Sequence, residues 1–149
     1  MEPVPLDEAS RGPDTVQVET ALALDGADGS IAGARHLTGD FLTRARREHG
    51  VPVSARTADL SRLVVSELVT NALRHAPGPV LLHLRLVGDA VEITVWDSEP
   101  ATPAPRGADP TRVGQHGLEI VMAVADGFDV VPEPLGKRIV ARLGLFDDM

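Results

Sequence analysis

The chain lacks cysteine and tyrosine, and it has few aromatic residues of any kind. Without cysteine it can form no disulfide, no thiolate metal site and no cysteine nucleophile. Aromatic residues make up 3% of its 149 residues, whereas hydrophobic residues make up 43%. The core must therefore consist of Val, Leu, Ile and Ala, in an amount that suits one domain able to fold unaided.

Long apolar runs and an excess of basic charge are also missing. No hydrophobic stretch approaches the length of a membrane span, and the start "MEPVPLDEASRGPDT" lacks the basic and apolar regions of a signal peptide. A cytoplasmic protein is therefore expected. The net charge of −8 argues against nucleic acid as the main partner, because phosphate backbones are bound by basic surfaces. Solubility is the simpler explanation of that charge.

The predicted elements follow in the order strand, helix, helix, hairpin, long loop, helix, hairpin. Helices are expected at residues 31–48, 54–76 and 116–125, with Ser54 as the N-cap of the second. Strands are expected at residues 16–24, 80–87, 90–97, 128–131 and 138–145. Hairpins favour a mostly antiparallel sheet, and clustered helices can cover one of its faces. The predicted fold is an α+β two-layer sandwich.

Two segments are expected to lie outside this framework. Residues 1–15 hold three prolines among charged residues and are predicted to be a disordered lead-in to a domain at 16–146. Residues 98–115 carry four prolines and little apolar content. A loop of that length inside a compact domain is typical of a functional lid.

Polar side chains interrupt an otherwise apolar helix in the stretch "SELVTNALRHA", residues 66–76. Side chains four residues apart on a helix lie about 40° apart, so Glu67 and Asn71 share one side. Arg74 and His75 extend this polar patch. The patch fits the wall of a pocket. It also fits a solvated face on which Glu67 and Asn71 hydrogen-bond each other beside the counter-charge of Arg74.

A carboxylate follows three apolar residues on one face of a predicted strand. In "VEITVWD" the residues Val91, Ile93, Val95 and Asp97 alternate onto the side that faces the helices. An ionised carboxylate there is costly unless it accepts hydrogen bonds, which the amino group of a ligand could donate. Alternatively, Asp97 lies past the strand end and starts the turn.

Two glycines bracket the predicted entry to the third helix in "VGQHGLEIV", residues 113–121. Gly114 and Gly117 would let the backbone approach a ligand, and a helix N-terminus presents unpaired N–H groups to anionic phosphate. Ordinary loop glycines would explain the same spacing. The pattern is neither a Walker A loop nor a Rossmann fingerprint.

Together, "SELVTNALRHA", "VEITVWDSEP" and "GQHGLEIVMAVAD" resemble the ATP-binding domain of the GHKL superfamily, the Bergerat fold. That superfamily includes histidine kinases, type II topoisomerases and heat-shock chaperone ATPases. The likeness is strongest to the small anti-sigma factor serine/threonine kinases and to their stand-alone actinobacterial relatives, and it extends over residues 16–145.

The resemblance implies a role for each polar residue of the first two motifs. Glu67 would match the general base, and Asn71 the ligand that holds Mg²⁺. Arg74 and His75 would lie near the phosphates of ATP. Asp97 would match the aspartate that accepts a hydrogen bond from the adenine amino group.

In the third motif, the resemblance assigns the phosphates to the glycine-rich entry of the helix. Gly114 and Gly117 would lie beside them, and the backbone amides of His116, Gly117 and Leu118 would donate hydrogen bonds. The loop at 98–115 would be the ATP lid.

The resemblance implies an enzyme that binds Mg-ATP, sequesters a sigma factor and phosphorylates a serine of an anti-anti-sigma antagonist. The arginines of the first helix form a candidate homodimer or partner surface by the same resemblance, or simply a solvated face. Neither a membrane nor direct nucleic-acid binding is expected. A histidine kinase is disfavoured, because about fifty residues before the helix of Glu67 are too few for a dimerisation domain.

The chain departs from the family pattern at two places. Glu99 occupies the position where the family usually has a glycine, two residues after the aspartate of the second motif. In the last hairpin, Gly136, Lys137 and Arg138 stand where many relatives have Gly-x-Thr. These departures keep a second function open, a non-catalytic ATP-binding regulator that acts by protein–protein binding.

Overall fold

The structure, a computed structural model, describes residues 18–26, 29–75, 79–98 and 115–145. Its elements follow in the predicted order: β1 (Glu19–Leu24), α1 (Ser30–His49), α2 (Ala55–His75), β2 (Val80–Val87), β3 (Ala90–Asp97), α3 (Gln115–Val124), β4 (Gly127–Glu133) and β5 (Gly136–Gly144). The predicted lead-in at 1–15 and residues 99–114 of the predicted lid lie outside the described residues.

The five strands form one antiparallel sheet in the order β1-β2-β3-β5-β4. Alternation along the strands buries one face of the sheet against the helices. That face consists of aliphatic side chains: Val80, Leu82, Leu84, Leu86, Val91, Ile93, Val95, Ile139, Ala141 and Leu143. The expected α+β two-layer sandwich with an aliphatic core is confirmed.

The last hairpin is longer than predicted. The predicted strands at 128–131 and 138–145 left "PEPLGK" between them, whereas β4 and β5 pair up to Glu133 and Gly136, leaving only Pro134 and Leu135 in the turn. Pro132 is tolerated inside β4 because this strand lies at the edge of the sheet, where a missing N–H interrupts no second ladder.

The start of α2 is fixed to the end of β5. Ser54 is its N-cap, as predicted: the backbone N–H of Thr57 donates to Ser54 Oγ at 3.0 Å. Thr57 Oγ1 in turn donates to the carbonyl of Gly144 at 2.6 Å, and the N–H of Ser54 donates to the carbonyl of Leu145 at 2.9 Å. The first turn of α2 is therefore held at the Gly144 end of the sheet.

The other end of α2 lies at the opposite end of the sheet. Leu73 reaches within 3.8 Å of the position that a Cβ on Gly26 would take, just past the end of β1. The neighbouring Leu24 pairs with Val80, at the end of the sheet where β3 finishes with Asp97. The fold thus carries the polar half of α2 towards the end of the sheet that bears Asp97.

The face of the sheet away from the helices carries ion pairs. Glu92 accepts hydrogen bonds from Arg85 Nε at 3.0 Å and from Arg142 Nε at 3.1 Å, one on each carboxylate oxygen. Because both of its oxygens are engaged, the Glu92 carboxylate can be buried at low cost. A membrane crossing needs a long, uniformly apolar helix, and the described residues contain none.

Candidate functional site

The polar patch of α2 lies partly inside the protein. Glu67 is half-buried, and Asn71 is buried with 6% of its surface exposed. Arg74 is exposed near the end of the helix, and His75 is the last helical residue. The fully buried apolar residues of the same helix are Val64, Val65, Leu68, Val69 and Ala72. A wholly solvated face, the simpler explanation of this patch, does not fit the burial of Asn71.

The third helix begins one residue earlier than predicted. Since α3 starts at Gln115, Gly117 and Leu118 belong to its first turn. The N–H groups of a first helical turn have no acceptor inside the helix and carry its partial positive charge. Gly114 and the side chains of His75 and His116 lie outside what the structure describes.

Gly117 lies directly against the carboxylate of Glu67. A Cβ built on Gly117 would lie 2.5 Å from Glu67 Oε1 and 3.7 Å from Glu67 Cβ. The carboxylate thus occupies space that any side chain at position 117 would fill. The packing of α2 against α3 brings Glu67 next to the first-turn amides of α3, a contact that joins the first and third motifs.

Replacing Gly117 by alanine is expected to displace the Glu67 carboxylate without unfolding the domain. The new methyl group overlaps only the far end of a flexible side chain, and alanine is the better helix former by about 1 kcal/mol. The thermal midpoint should therefore be kept or raised. If Glu67 is a general base, ATP-dependent turnover should fall by at least about tenfold, since misplacement by about 1 Å can cost a hundredfold.

Asp97 ends β3 and is held by a lysine from the neighbouring strand. Asp97 pairs with Lys137 across the β3–β5 ladder, so both side chains leave the same face of the sheet. Lys137 Nζ lies 3.1 Å from each oxygen of the carboxylate. The Asp97 side chain is fully covered, whereas the Lys137 side chain is 13% exposed. Asp97 therefore belongs to the strand and does not start the turn.

A close contact between backbones fixes this pair. The position that a Cβ on Gly136 would take overlaps the carbonyl oxygen of Asp97 and lies 2.8 Å from the Cα of Ser98. Only glycine lets β5 approach the end of β3 so closely. This approach sets the register that places Lys137 opposite Asp97.

Replacing Gly136 by alanine is expected to destabilise the protein by about 1–3 kcal/mol. The added methyl group would overlap backbone atoms of Asp97 and Ser98, so the start of β5 must shift away from Asp97. Chemical denaturation measures the change. Gly33→Ala is the matched control: its Cβ inside α1 meets nothing within 4 Å, so it should stabilise by about 0.5–1 kcal/mol. Equal effects of the two substitutions would contradict the close contact at Gly136.

The side-chain oxygens at Glu67 and Asn71 suit a magnesium ion whose other coordination positions are filled by atoms of a bound ligand. Among the described residues, no three His, Asp or Glu side chains cluster as a metal cage made of protein alone would need. Mg²⁺ is commonly held by one or two protein oxygens, with substrate phosphates and water completing the octahedron. Asn71 carries an amide oxygen of the kind that Mg²⁺ prefers, on the same side of α2 as Glu67.

Sequence reasoning named Lys137 only as a departure from a family pattern. Its contact with Asp97 depends on the pairing of β3 with β5, which are separated by forty residues of chain. The alternation of apolar residues in each strand predicts which side chains share a face but not which strands are neighbours. One sequence signal did point to Lys137. It lies two residues before Ile139 on the same strand, so its side chain shares the buried face with Ile139.

Comparison with known proteins gives a match over most of the chain. The family model described as "Histidine kinase-like ATPase domain" matches residues 30–143. This span contains both α2 and α3, with Glu67, Asn71 and Gly117, as well as the Asp97–Lys137 pair. No curated protein sequence matches the chain.

Solved structures of similar fold include one from Mycobacterium tuberculosis, the RsbU and RsbW domains of Rv1364c. It superposes with a TM-score of 0.63 at 17% identity, over 87% of this chain and 33% of that one. The present chain thus spans a third of the length of that structure. A second is the histidine kinase domain of the blue-light activated histidine kinase of Erythrobacter litoralis EL346. Its TM-score is 0.48 at 19% identity, over 75% of this chain and 61% of that one.

Proposed function

Because the chain belongs to the histidine kinase-like ATPase family, a branch of the GHKL superfamily, we propose that it is a cytoplasmic anti-sigma factor serine/threonine kinase. Its antiparallel sheet covered by helices is the Bergerat fold expected from the sequence. In this proposal the protein binds Mg-ATP, sequesters a sigma factor and phosphorylates a serine of an anti-anti-sigma antagonist. Within this family, we choose the anti-sigma factor kinases because residues 66–76 and 114–126 resemble the motifs of those kinases.

The observation that carries the proposal is the contact between Glu67 and Gly117. A carboxylate packed against the first turn of a helix is placed beside N–H groups that bind phosphate oxygens. A general base must lie within hydrogen-bond reach of the proton that it removes, and a phosphoryl acceptor must approach that same phosphate. In this proposal, phosphates bound at the N-terminus of α3 bring the acceptor hydroxyl within reach of Glu67.

Each residue of the site then has one task. Glu67 accepts the proton of the acceptor hydroxyl as the hydroxyl oxygen bonds to the γ-phosphorus of ATP, while the bond from that phosphorus to the bridging oxygen breaks and ADP leaves. Asn71 holds the metal through its amide oxygen, and the amides of residues 116–118 donate hydrogen bonds to phosphate oxygens. When bound, Mg²⁺ supplies the positive charge that offsets the charge developing on the phosphates.

Asp97 and the end of α2 complete the proposed nucleotide site. Asp97 accepts a hydrogen bond from the adenine amino group at the end of β3. Arg74 and His75 follow Asn71 by about one helical turn, which brings positive charge to the phosphate end of the ligand. By resemblance, the exposed arginines of α1 provide the partner or homodimer surface.

Phosphoserine formation tests the proposed activity. The purified protein is mixed with Mg-ATP and an anti-anti-sigma antagonist from the same cells, and phosphoserine on the antagonist is followed by mass spectrometry. We expect modification with the wild type and none with Glu67→Ala. The absence of phosphoserine in the wild type, or equal modification by the variant, would contradict a kinase.

The covered state of Asp97 favours a second candidate function, an ATP-binding regulator without phosphoryl transfer. The adenine base can reach this carboxylate only if the atoms that cover it move. Such a movement suits a protein that responds to ATP by changing its conformation. Calorimetry separates the two functions: ATP binding without any phosphoserine favours the regulator, whereas no binding contradicts both.

A further inference from the structure

The layer of helices stops short of the edge of the sheet. Helix α2 packs on β2, β3 and β5, whereas α3 contacts α2 and the edge strand β4. No described helix lies beyond α3, so the inner face of β4 is only partly covered. Val130 on that face is 47% exposed, although Ile139, its partner across the ladder, is buried.

The flank of α3 that faces away from α2 is apolar and exposed. Gly117 faces α2, since a Cβ at this position would meet Glu67. Met122 follows five residues later and therefore points about 140° away from Gly117 around the helix axis. Met122 is 53% exposed, and Leu118, one turn before it, is half-buried. Four residues of α3 and β4 thus form one apolar surface, here called the α3–β4 surface: Leu118, Met122, Phe128 and Val130.

The shape of the α3–β4 surface fits one more helix. A helix that lies beside α3, at the usual distance of about 8–10 Å between axes, continues the helical layer over β4. Its apolar side then packs on Met122 and covers Val130. Methionine suits such a contact because its unbranched, polarisable side chain adapts to the shape of a partner.

Carboxylates surround this surface, and no lysine or arginine lies among them in the sequence. Residues 115–133, which span α3 and β4, contain four Asp and Glu residues but no Lys or Arg. Helices α1 and α2, in contrast, carry seven of the fourteen Lys and Arg residues of the chain. Glu133 is paired with Arg138, whereas Asp129 forms no ion pair with any residue that the structure describes. Positive charge at this surface must therefore come from a partner.

We propose that the α3–β4 surface docks an amphipathic helix of a partner protein, in which Lys and Arg flank the apolar side. The apolar side covers Met122 and Val130, and the cations lie near Glu119 and Asp129. The basic helix α1 of a second copy does not qualify, because its apolar side is buried in its own core. This inference goes beyond the proposed function, since docking requires neither ATP nor phosphoryl transfer.

The test uses a fluorescent helical peptide of leucine and lysine, with the leucines spaced to form one face of the helix. Its binding to the full chain is measured by fluorescence anisotropy without nucleotide. The matched probe is the same peptide with glutamate in place of every lysine. We expect the lysine peptide to bind at least about tenfold more tightly than the glutamate peptide, and salt to reduce this difference.

Two double variants test whether the peptide binds at the proposed place. Met122→Ser combined with Val130→Ser should weaken binding of the lysine peptide by at least about tenfold, because the apolar contact is lost. Leu81→Ser combined with Val87→Ser is the control. Both of these residues are 40% exposed on the opposite face of the sheet, so their replacement should leave the affinity unchanged.

A charge reversal tests the carboxylates in the same way. Glu119 is exposed and lies three residues before Met122, so these two side chains are neighbours on α3. Glu119→Lys should weaken binding of the lysine peptide by about fivefold or more, since it repels the incoming cations. Glu48→Lys makes the same change of net charge on α1 and should alter the affinity by less than about twofold.

Three results would overturn the inference. One is a wild type that does not bind the lysine peptide, or binds both peptides equally. Another is a Met122→Ser, Val130→Ser variant that is folded in a thermal melt and keeps the wild-type affinity. The third is light scattering that shows a dimeric wild type and a monomeric double variant, because the surface would then join two copies. A failure of the phosphoserine assay, in contrast, contradicts the kinase and leaves this inference in place.

Discussion

Replacing Glu67 by glutamine is expected to lower the rate of phosphoryl transfer by about 10²–10⁴-fold, the usual contribution of a general base. The amide has nearly the same shape, so the packing against Gly117 is kept, but it cannot accept the proton of the attacking hydroxyl. ATP affinity should be unchanged or slightly higher, because a negative charge is removed from beside the phosphates. The measurement is the initial rate of phosphoserine formation at saturating ATP, with ATP affinity determined in parallel.

Glu48→Gln is the control for this change. Glu48 is exposed near the end of α1, so the same chemical substitution there should leave rate and affinity unaltered. A Glu67→Gln variant that retains the wild-type rate would remove the general base from the account. A variant that loses rate and affinity together would point to a structural role.

Replacing Asn71 by alanine is expected to remove most of the magnesium-dependent part of ATP binding. Loss of a group that only supports a metal ligand costs about 10–100-fold in metal affinity, so loss of the ligand itself should cost about 100-fold or more. The affinity for ATP should be compared by calorimetry in Mg²⁺ and in EDTA. In the wild type Mg²⁺ should raise the affinity strongly, and in Asn71→Ala the two affinities should converge.

Asn71→Asp is the matched variant for this prediction. Its carboxylate keeps an oxygen at the same place and is a good Mg²⁺ ligand, so the magnesium effect should persist. Because Asn71 is buried, a thermal melt of each variant shows whether it is folded at the titration temperature. An undiminished magnesium effect in a folded Asn71→Ala would exclude this residue as the ligand.

The sequence alone predicts those helices, strands and caps whose signals lie within a few neighbouring residues. The hairpin of β2 and β3 agrees with prediction because two alternating apolar runs flank the short turn at Gly88 and Asp89. The N-cap at Ser54 was predictable from residue type next to the first turn of α2. The α+β layering followed from hairpins and clustered helices, and the structure confirms it.

The contacts of the site could not be derived in this way, because they join residues far apart in the chain. Glu67 meets Gly117 only through the packing of α2 on α3, and Lys137 meets Asp97 only through the pairing of β5 with β3. The periodicity of a single helix or strand does not show which other helix or strand packs against it. The family resemblance assigned Glu67 and Gly117 to the same ATP site, but it offered nothing on the contact between Lys137 and Asp97.

The most direct test of the central claim is to follow glycine amide signals by NMR while Mg-ATP is added. The claim is that the triphosphate binds at the first turn of α3, next to Glu67 and Asn71 of α2. Gly88, in the turn at the other end of the sheet, is the internal reference. We predict a large, saturable shift of the Gly117 amide and little change at Gly88. A Gly117 amide that stays unmoved at saturating nucleotide, or that moves no more than Gly88, would contradict the account.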